Sequence, residues 1–140
     1  TITNEPELLQ ACKTAADGKQ VRIHGNATRG ECVWWFSQAH ALLHPNKYFA
    51  EPFGLSPVES QACGTPVIAW NHGAMSETIK HGETGYLVNT FEEMIDLIKS
   101  NAASGLNRER CREWASQFSI ERMVKRYEEL CLEAIGTGGW

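Results

Sequence analysis

Two glutamates, Glu51 and Glu59, are the residues whose type and spacing most directly suggest chemistry. The segment between them is rich in Gly and Pro and is predicted to lead into a short helix. A helix N-terminus offers unpaired backbone N–H groups and the positive end of a dipole, both of which favour an anion. The carboxylates repel a bare phosphate but accept hydrogen bonds from hydroxyls. The combination therefore points to a phosphate that is bonded to a hydroxyl-bearing group, as in a nucleotide-sugar.

A purely structural alternative fits the same residues. Ser56 as the N-cap, Pro57 at the first helical position and Glu59 three residues after the cap would form a capping box, and Gly64 would end the helix. This alternative accounts for Glu59. It leaves Glu51 unexplained, because a carboxylate that precedes a proline lies outside the helix. Local spacing alone keeps both interpretations open.

The composition is that of one globular domain. The chain has 140 residues, of which 42% are hydrophobic and 21% charged. A net charge of −4 without a long Lys/Arg run argues against a nucleic-acid partner. No apolar stretch approaches the roughly 20 residues of a membrane span, and no signal peptide opens the chain. Five widely spaced cysteines predict reduced thiols and a cytoplasmic location, and five histidines without ligand spacing predict no metal site.

Apolar segments that alternate with helical patterns predict an α/β fold with a parallel, doubly wound sheet and a helical C-terminus. The predicted strands are 21–24, 41–43, 67–69 and 86–88, and the predicted helices are 5–16, 31–38, 57–63, 74–80, 91–100, 107–116 and 119–135. Strand 41–43 lacks polar alternation and is expected to be covered on both faces. Ligands bind at the carboxyl ends of such strands, so Gly25, Asn26 and Glu51 are expected on one rim.

The segment from Glu51-Pro-Phe-Gly-Leu through Glu59-Ser-Gln-Ala-Cys-Gly-Thr-Pro-Val-Ile-Ala resembles the signature of retaining GT-B-fold glycosyltransferases. That large family includes the sucrose and glycogen synthases. The flanking segments that agree with it are 39–45, 73–79, 81–88 and 118–124. The resemblance covers roughly residues 20 to 135. It implies a Rossmann-like C-terminal nucleotide-sugar-binding domain over residues 1–135, followed by a flexible tail at 136–140.

The resemblance also implies roles for individual residues. Glu51 corresponds to the catalytic-site glutamate that lies beside the donor sugar ring and bonds its hydroxyls. Glu59 corresponds to the glutamate that bonds the ribose hydroxyls of the nucleotide. The backbone N–H groups of Phe53, Gly54 and Leu55 are expected to face the diphosphate or the sugar, and a glycine lets the backbone approach a ligand.

The expected base-binding residues are Gly25 and Asn26, through main-chain contacts. The reaction implied is transfer of a hexose from a nucleoside-diphosphate sugar to an acceptor, with retention of configuration and without a metal or another cofactor. Two alternatives remain. One is a non-catalytic binding or interaction module that reuses the fold, and the other is a nucleotide-sugar epimerase or phosphorylase-type enzyme on the same scaffold.

The family's nucleotide-binding domain normally begins with two more strand–helix units, the first of which carries a Gly-Arg … Lys pair that grips the donor phosphates. Neither these units nor the acceptor-binding N-terminal domain is recognisable within the 140 residues. We therefore expect the missing N-terminal domain as a partner and little catalysis by the chain alone. The gap predicts an exposed apolar edge at 41–43 and a homodimer formed through it. At least two of Trp34, Trp35 and Phe36 are expected in the core.

Overall fold

The structure is a computed structural model that describes residues 6–137. It divides into two compact units, Thr1–Trp34 and Trp35–Trp140, and each is described by itself. The first unit contains helix α1 (Pro6–Ala16) and the first part of helix α2 (Arg29–Gln38). The predicted strand 21–24 is wrong, since these residues are irregular. A strand is stable only when it pairs, and the described residues of this unit contain no other strand.

A capping box does exist in this chain, at the start of α2. The Thr28 N–H donates to Glu31 Oε2 at 2.8 Å, and the Glu31 N–H donates to Thr28 Oγ1 at 3.3 Å. These two bonds satisfy N–H groups that the first helical turn leaves without partners. The hydrogen bond from the Thr28 backbone lowers the pKa of the Glu31 carboxyl below its ordinary value.

The second unit is built on a parallel three-stranded sheet in the order β1-β2-β3. Its strands are β1 (Leu42–His44), β2 (Val67–Trp70) and β3 (Gly85–Val88). The remaining elements are α3 (Leu55–Ala62), α4 (Met75–Thr78), α5 (Phe91–Lys99), α6 (Arg108–Ala115) and α7 (Ile120–Thr137), with 3₁₀ turns at Ala102–Gly105 and Ser116–Phe118. The α/β prediction is confirmed. Helix α7 continues two residues beyond the predicted end, and residues 138–140 lie outside the described part.

The core lies on both faces of β2, all four of whose residues are buried. Residues of one face pack towards α5 and the others towards α4; the two buried clusters are Ile68, Trp70, Val88, Met94 and Ala103, and Val67, Ala69, Met75 and Ile79. A strand covered on both faces is expected to be apolar throughout, as β2 is. This central strand fixes the positions of the loops that leave the carboxyl end of the sheet.

Strand β1 lies at the edge of the sheet, and no strand among residues 6–137 pairs with its outer side. Its middle residue, Leu43, is 44% exposed, so the prediction that both faces are covered is wrong there. The core prediction for Trp34 and Trp35 is also wrong, because both are exposed. Helix α2 carries its large apolar residues consecutively rather than at helical spacing, so no single side of the helix can bury them.

The C-terminal end of α2 is tied to the sheet by Arg108 of α6. Its guanidinium donates to the Ser37 carbonyl at 2.7 Å, to the Ala39 carbonyl at 3.1 Å and to Thr65 Oγ1 at 2.9 Å. The Thr65 hydroxyl in turn donates to the Phe36 carbonyl. These donors satisfy carbonyls that a helix end leaves without intrahelical partners. The threonine of the Gly64-Thr65-Pro66 segment is therefore structural.

Candidate functional site

Two loops meet at the carboxyl end of the sheet, and the contact between them positions Glu51. One follows β1 and contains Glu51, and the other follows β2. The Ala74 N–H donates to the Glu51 carbonyl at 2.9 Å. Gly73 has a φ of +59°, and a Cβ there would lie 2.6 Å from the Glu51 carbonyl oxygen and 2.7 Å from its nitrogen. This close approach requires glycine, and we call the contact of Gly73 and Ala74 with Glu51 the backbone clasp.

Gly54 is held by the same pair of loops. It is buried and adopts the left-handed conformation, with φ 85° and ψ 69°. A Cβ at this position would overlap the methyl group of the buried Met75 and approach the Glu51 Cγ to 3.5 Å. The left-handed backbone conformation therefore favours glycine here even without a ligand, and a larger residue would also displace the Met75 methyl group.

Helix α3 begins two residues earlier than the sequence suggested. Its N-cap is Gly54 and its first residue is Leu55, with no side chain capping the helix. Ser56 lies inside the first turn and Pro57 is the third helical residue, so the capping-box alternative for Glu59 is wrong. The N-cap position, predicted for Ser56, is occupied by the left-handed Gly54. Glu59 is therefore not the third residue of a capping box.

The first turn of α3 offers donors to solvent. The N–H groups of Leu55 and Ser56 have no acceptor within the helix, and Pro57 carries no N–H. Leu55 is exposed, and the first turn contains no acidic residue that would neutralise the positive end of the helix dipole. This turn is therefore a favourable position for a negatively charged group.

Both glutamates are half-buried on the accessible side of this loop and helix. Glu59 shares its side of α3 with the exposed Leu55, Ser56 and Ala62, whereas the opposite side of the helix is buried. Glu51 lies before the helix, on the backbone clasp. The sequence-predicted residues Glu51, Phe53, Gly54, Leu55 and Glu59 are thus presented by one segment at the strand ends.

The expected base-binding residues belong to the first unit. Gly25 and Asn26 are exposed and lie in the irregular segment before α2, where Asn26 has a φ of 53°. Asparagine is one of the few non-glycine residues that adopt this conformation readily. Their assignment to a nucleotide base stays a prediction.

An aromatic series connects the motif loop to the C-terminal helices. The Phe53 ring lies edge-on to Phe118 with 5.7 Å between centroids, and Phe118 lies edge-on to Trp114 at 5.8 Å. Phe53 and Leu55 form one wall of a groove of about 1030 Å³, and α7 forms the other with residues that include Arg122, Met123 and Lys125. The sequence predicted a C-terminal helix in this region but gave no sign that it lies beside the site.

Two alternative chemistries, a metal site and a reactive buried thiol, find no support in the described residues. Residues 6–137 contain no cluster of three or more His, Cys, Asp or Glu side chains arranged to hold a metal ion. Burial raises the pKa of the Cys111 thiol, which donates to the Thr84 carbonyl, so this cysteine favours the protonated form. Within the same residues, no helix has the length and apolar character needed to cross a membrane.

Comparison with known proteins identifies the family. Residues 4–118 match the model described as glycosyl transferases group 1. The D-inositol 3-phosphate glycosyltransferase of Pseudarthrobacter chlorophenolicus is 47% identical over 44% of this chain and 14% of its own length. A glycogen synthase of Pseudomonas fluorescens is 33% identical over 94% of this chain and 29% of its own length. The chain thus spans less than a third of either relative.

The fold is similar to that of a solved GT-B enzyme. The sucrose-phosphate synthase of Thermosynechococcus elongatus superposes with a TM-score of 0.73 over 96% of this chain and 35% of the synthase chain, at 22% identity. That similarity concerns the fold, whereas the family-model match covers most of the sequence, including the segment with both glutamates. The chain belongs to the group 1 glycosyltransferases.

Proposed function

We propose that this chain is the donor-binding portion of a retaining glycosyltransferase that transfers a hexose from a nucleoside-diphosphate sugar to an acceptor. The observation that carries the proposal is the pair of half-buried carboxylates, Glu51 and Glu59, on either side of an uncapped helix N-terminus. The helix end suits the diphosphate and the carboxylates suit hydroxyls. A nucleoside-diphosphate sugar combines these groups in one molecule.

Each part of the segment takes one role in this proposal. Glu51 accepts hydrogen bonds from the donor sugar hydroxyls, and Glu59 accepts them from the ribose. The backbone N–H groups of Phe53, Gly54 and Leu55 face the diphosphate or the sugar. As the bond between the sugar and the diphosphate breaks, negative charge grows on the leaving oxygen, and the positive end of α3 stabilises it. Contacts with the base are assigned to the main chain of Gly25 and Asn26.

The rest of the enzyme completes the site. We place an acceptor-binding domain and further phosphate-binding cations there, so the 140-residue chain alone is inactive. The exposed apolar residues of α7, among them Ile120, Met123, Tyr127 and Ile135, support a contact with that domain. The isolated chain instead associates through the open edge of β1, where Leu43 is exposed. The five cysteines form no disulfide, which is in keeping with a cytoplasmic enzyme.

Calorimetry on the complete enzyme tests the two roles separately. UDP, GDP and ADP are titrated with and without their glucose conjugates. Loss of a charge-assisted hydrogen bond costs about 1.5–3 kcal/mol, so Glu59→Ala should weaken binding of the free nucleotide by roughly 10- to 100-fold. Glu51→Ala should weaken the nucleotide-sugar by a similar factor and leave the free nucleotide nearly unchanged.

A matched control is Glu92→Ala, which removes an exposed glutamate of α5 and should change neither affinity. The reverse pattern, with free nucleotide depending on Glu51 and not on Glu59, contradicts the role assignment. If no nucleotide binds to the wild-type enzyme, the proposed donor site itself is wrong.

A further inference from the structure

The loop after β1 carries a pair of exposed aromatic rings. Tyr48 is 92% exposed and Phe49 is 62% exposed, and the next residue, Ala50, is exposed as well. We call residues 48–50 the aromatic tip. It contains no charged residue. Single exposed apolar side chains are ordinary, but two large exposed rings at consecutive positions are less so and suit contact with a ligand.

The aromatic tip is held from both sides. Before it, the Lys47 ammonium lies 4.9 Å from the centroid of the Trp70 ring, a cation–π contact with a buried residue at the end of β2. The Phe49 N–H donates to Asn46 Oδ1 at 3.3 Å. After the tip, the backbone clasp holds Glu51. The two rings are therefore presented on a short segment between two fixed points.

The aromatic tip is adjacent to the proposed position of the donor sugar. Consecutive Cα atoms are 3.8 Å apart, so the Phe49 Cα lies within about 7.6 Å of the Glu51 Cα. At this separation, a group bound next to a sugar at Glu51 is within reach of the rings. In a transferase, the group that approaches the donor sugar is the acceptor.

The chemistry of the rings selects the occupant. An aromatic face carries negative partial charge, and the C–H bonds on the face of a pyranose ring carry positive partial charge. The Tyr48 phenol can donate to, or accept from, a sugar hydroxyl. Two rings bury roughly 300–500 Å² in all, at 150–250 Å² each. That area matches a small ligand and falls short of the roughly 800 Å² per partner of a stable protein interface.

We propose that Tyr48 and Phe49 form an acceptor subsite that stacks against a saccharide ring. The inference rests on the proposed function, because it takes Glu51 as the position of the donor sugar. It adds the class of acceptor, a saccharide, and two residues that recognise it.

Saturation-transfer NMR with maltohexaose and cellohexaose tests the subsite on the full 140-residue chain. Saturation should pass from the protein to the ring protons of at least one oligosaccharide. Aromatic contacts of this kind are worth about 0.5–1.5 kcal/mol, so Tyr48→Ala and Phe49→Ala should each weaken its binding by about two- to tenfold. Tyr48→Phe keeps the ring and should retain most of the affinity. The control Tyr127→Ala removes a tyrosine of α7 that is 61% exposed and should have no effect.

Three results overturn the subsite: neither oligosaccharide binds, both alanine variants bind as wild type does, or Tyr127→Ala causes the same loss. A sedimentation experiment in which Tyr48→Ala abolishes self-association, with saccharide binding unchanged, makes the tip a protein interface and also overturns it. Titrating UDP, GDP and ADP in parallel separates this test from that of the proposed function. Saccharide binding that depends on the two rings, without nucleotide binding to the complete enzyme, supports the sugar subsite while contradicting the donor site.

Discussion

Replacing Gly73 with alanine should both destabilise the chain and displace Glu51. A left-handed conformation costs a non-glycine residue roughly 1–2 kcal/mol. The new Cβ would also lie 2.6 Å from the Glu51 carbonyl oxygen and 2.7 Å from the Glu51 nitrogen. Both are backbone atoms, so the loop must move, at an overpacking cost of about 1–3 kcal/mol. We therefore expect Gly73→Ala to lower the free energy of unfolding by about 2–5 kcal/mol.

Gly82→Ala is the matched control. Gly82 also has a positive φ, of 78°, but a Cβ there would meet nothing within 4 Å. This variant should lose only the roughly 1–2 kcal/mol of the left-handed conformation. Urea denaturation gives both values from the midpoint and the slope. The difference between the two variants isolates the cost of opening the backbone clasp.

The two variants should also differ in ligand binding. In the complete enzyme, Gly73→Ala should weaken nucleotide-sugar more than free nucleotide, because the proposed function assigns Glu51 to the sugar alone. Gly82→Ala should change neither affinity. If both variants unfold at the same urea concentration, the loops accommodate the methyl group at no cost, and the argument that the backbone clasp fixes Glu51 is refuted.

Three further predictions concern other parts of the chain. Arg108→Ala should lower the free energy of unfolding by about 2–4 kcal/mol, because it leaves carbonyls at the end of α2 without their charged donor, and thermal denaturation measures the loss. The pKa of the Glu31 carboxyl is lowered in the folded chain. Its hydrogen bond with Thr28 therefore stabilises α2 fully at pH values above the ordinary glutamate pKa, and this stabilisation is lost as the pH falls through the lowered pKa. An NMR titration of α2 amides should show this loss at low pH, and Glu31→Gln should abolish the pH dependence. Leu43→Lys should make the isolated chain monomeric in a sedimentation experiment, because it places a charge on the open edge of β1. The control Ile98→Lys, on α5, should leave the association unchanged. A wild-type chain that is monomeric at high micromolar concentration would rule out association through β1.

The sequence predicted a secondary-structure element most accurately where a single physical cause sets its residue pattern. Strand β2 is apolar throughout because both its faces are covered, and its position was predicted to within a residue. The α3 start was predicted two residues late, since Ser56 followed by Pro57 has the local signature of a helix start. The left-handed Gly54 packs on Met75, 21 residues further along the chain, and no local pattern reports such a contact.

Residues 21–24 and Trp34 were mispredicted for a related reason. An apolar run predicts a strand or a buried helix side only if a partner element covers it. The described residues of the first unit offer no strand to pair with 21–24, and Trp34 is exposed. The candidate site residues were easier to predict than the residues that hold them in position. Glu51 and Glu59 follow from residue type and spacing, whereas the role of Gly73 depends on two strand ends being neighbours.

The backbone clasp holds residue 51 entirely through main-chain atoms. Its amide and carbonyl are positioned by Gly73 and Ala74, and no part of that contact depends on a carboxylate. Any side chain at position 51 would therefore be delivered to the same place. Evolution, or an engineer, can exchange the chemical group there by a single substitution while the loop keeps its path. The path of the loop and the chemical group that it carries are thus separately adjustable in this domain, with Gly73 constrained and residue 51 open to change.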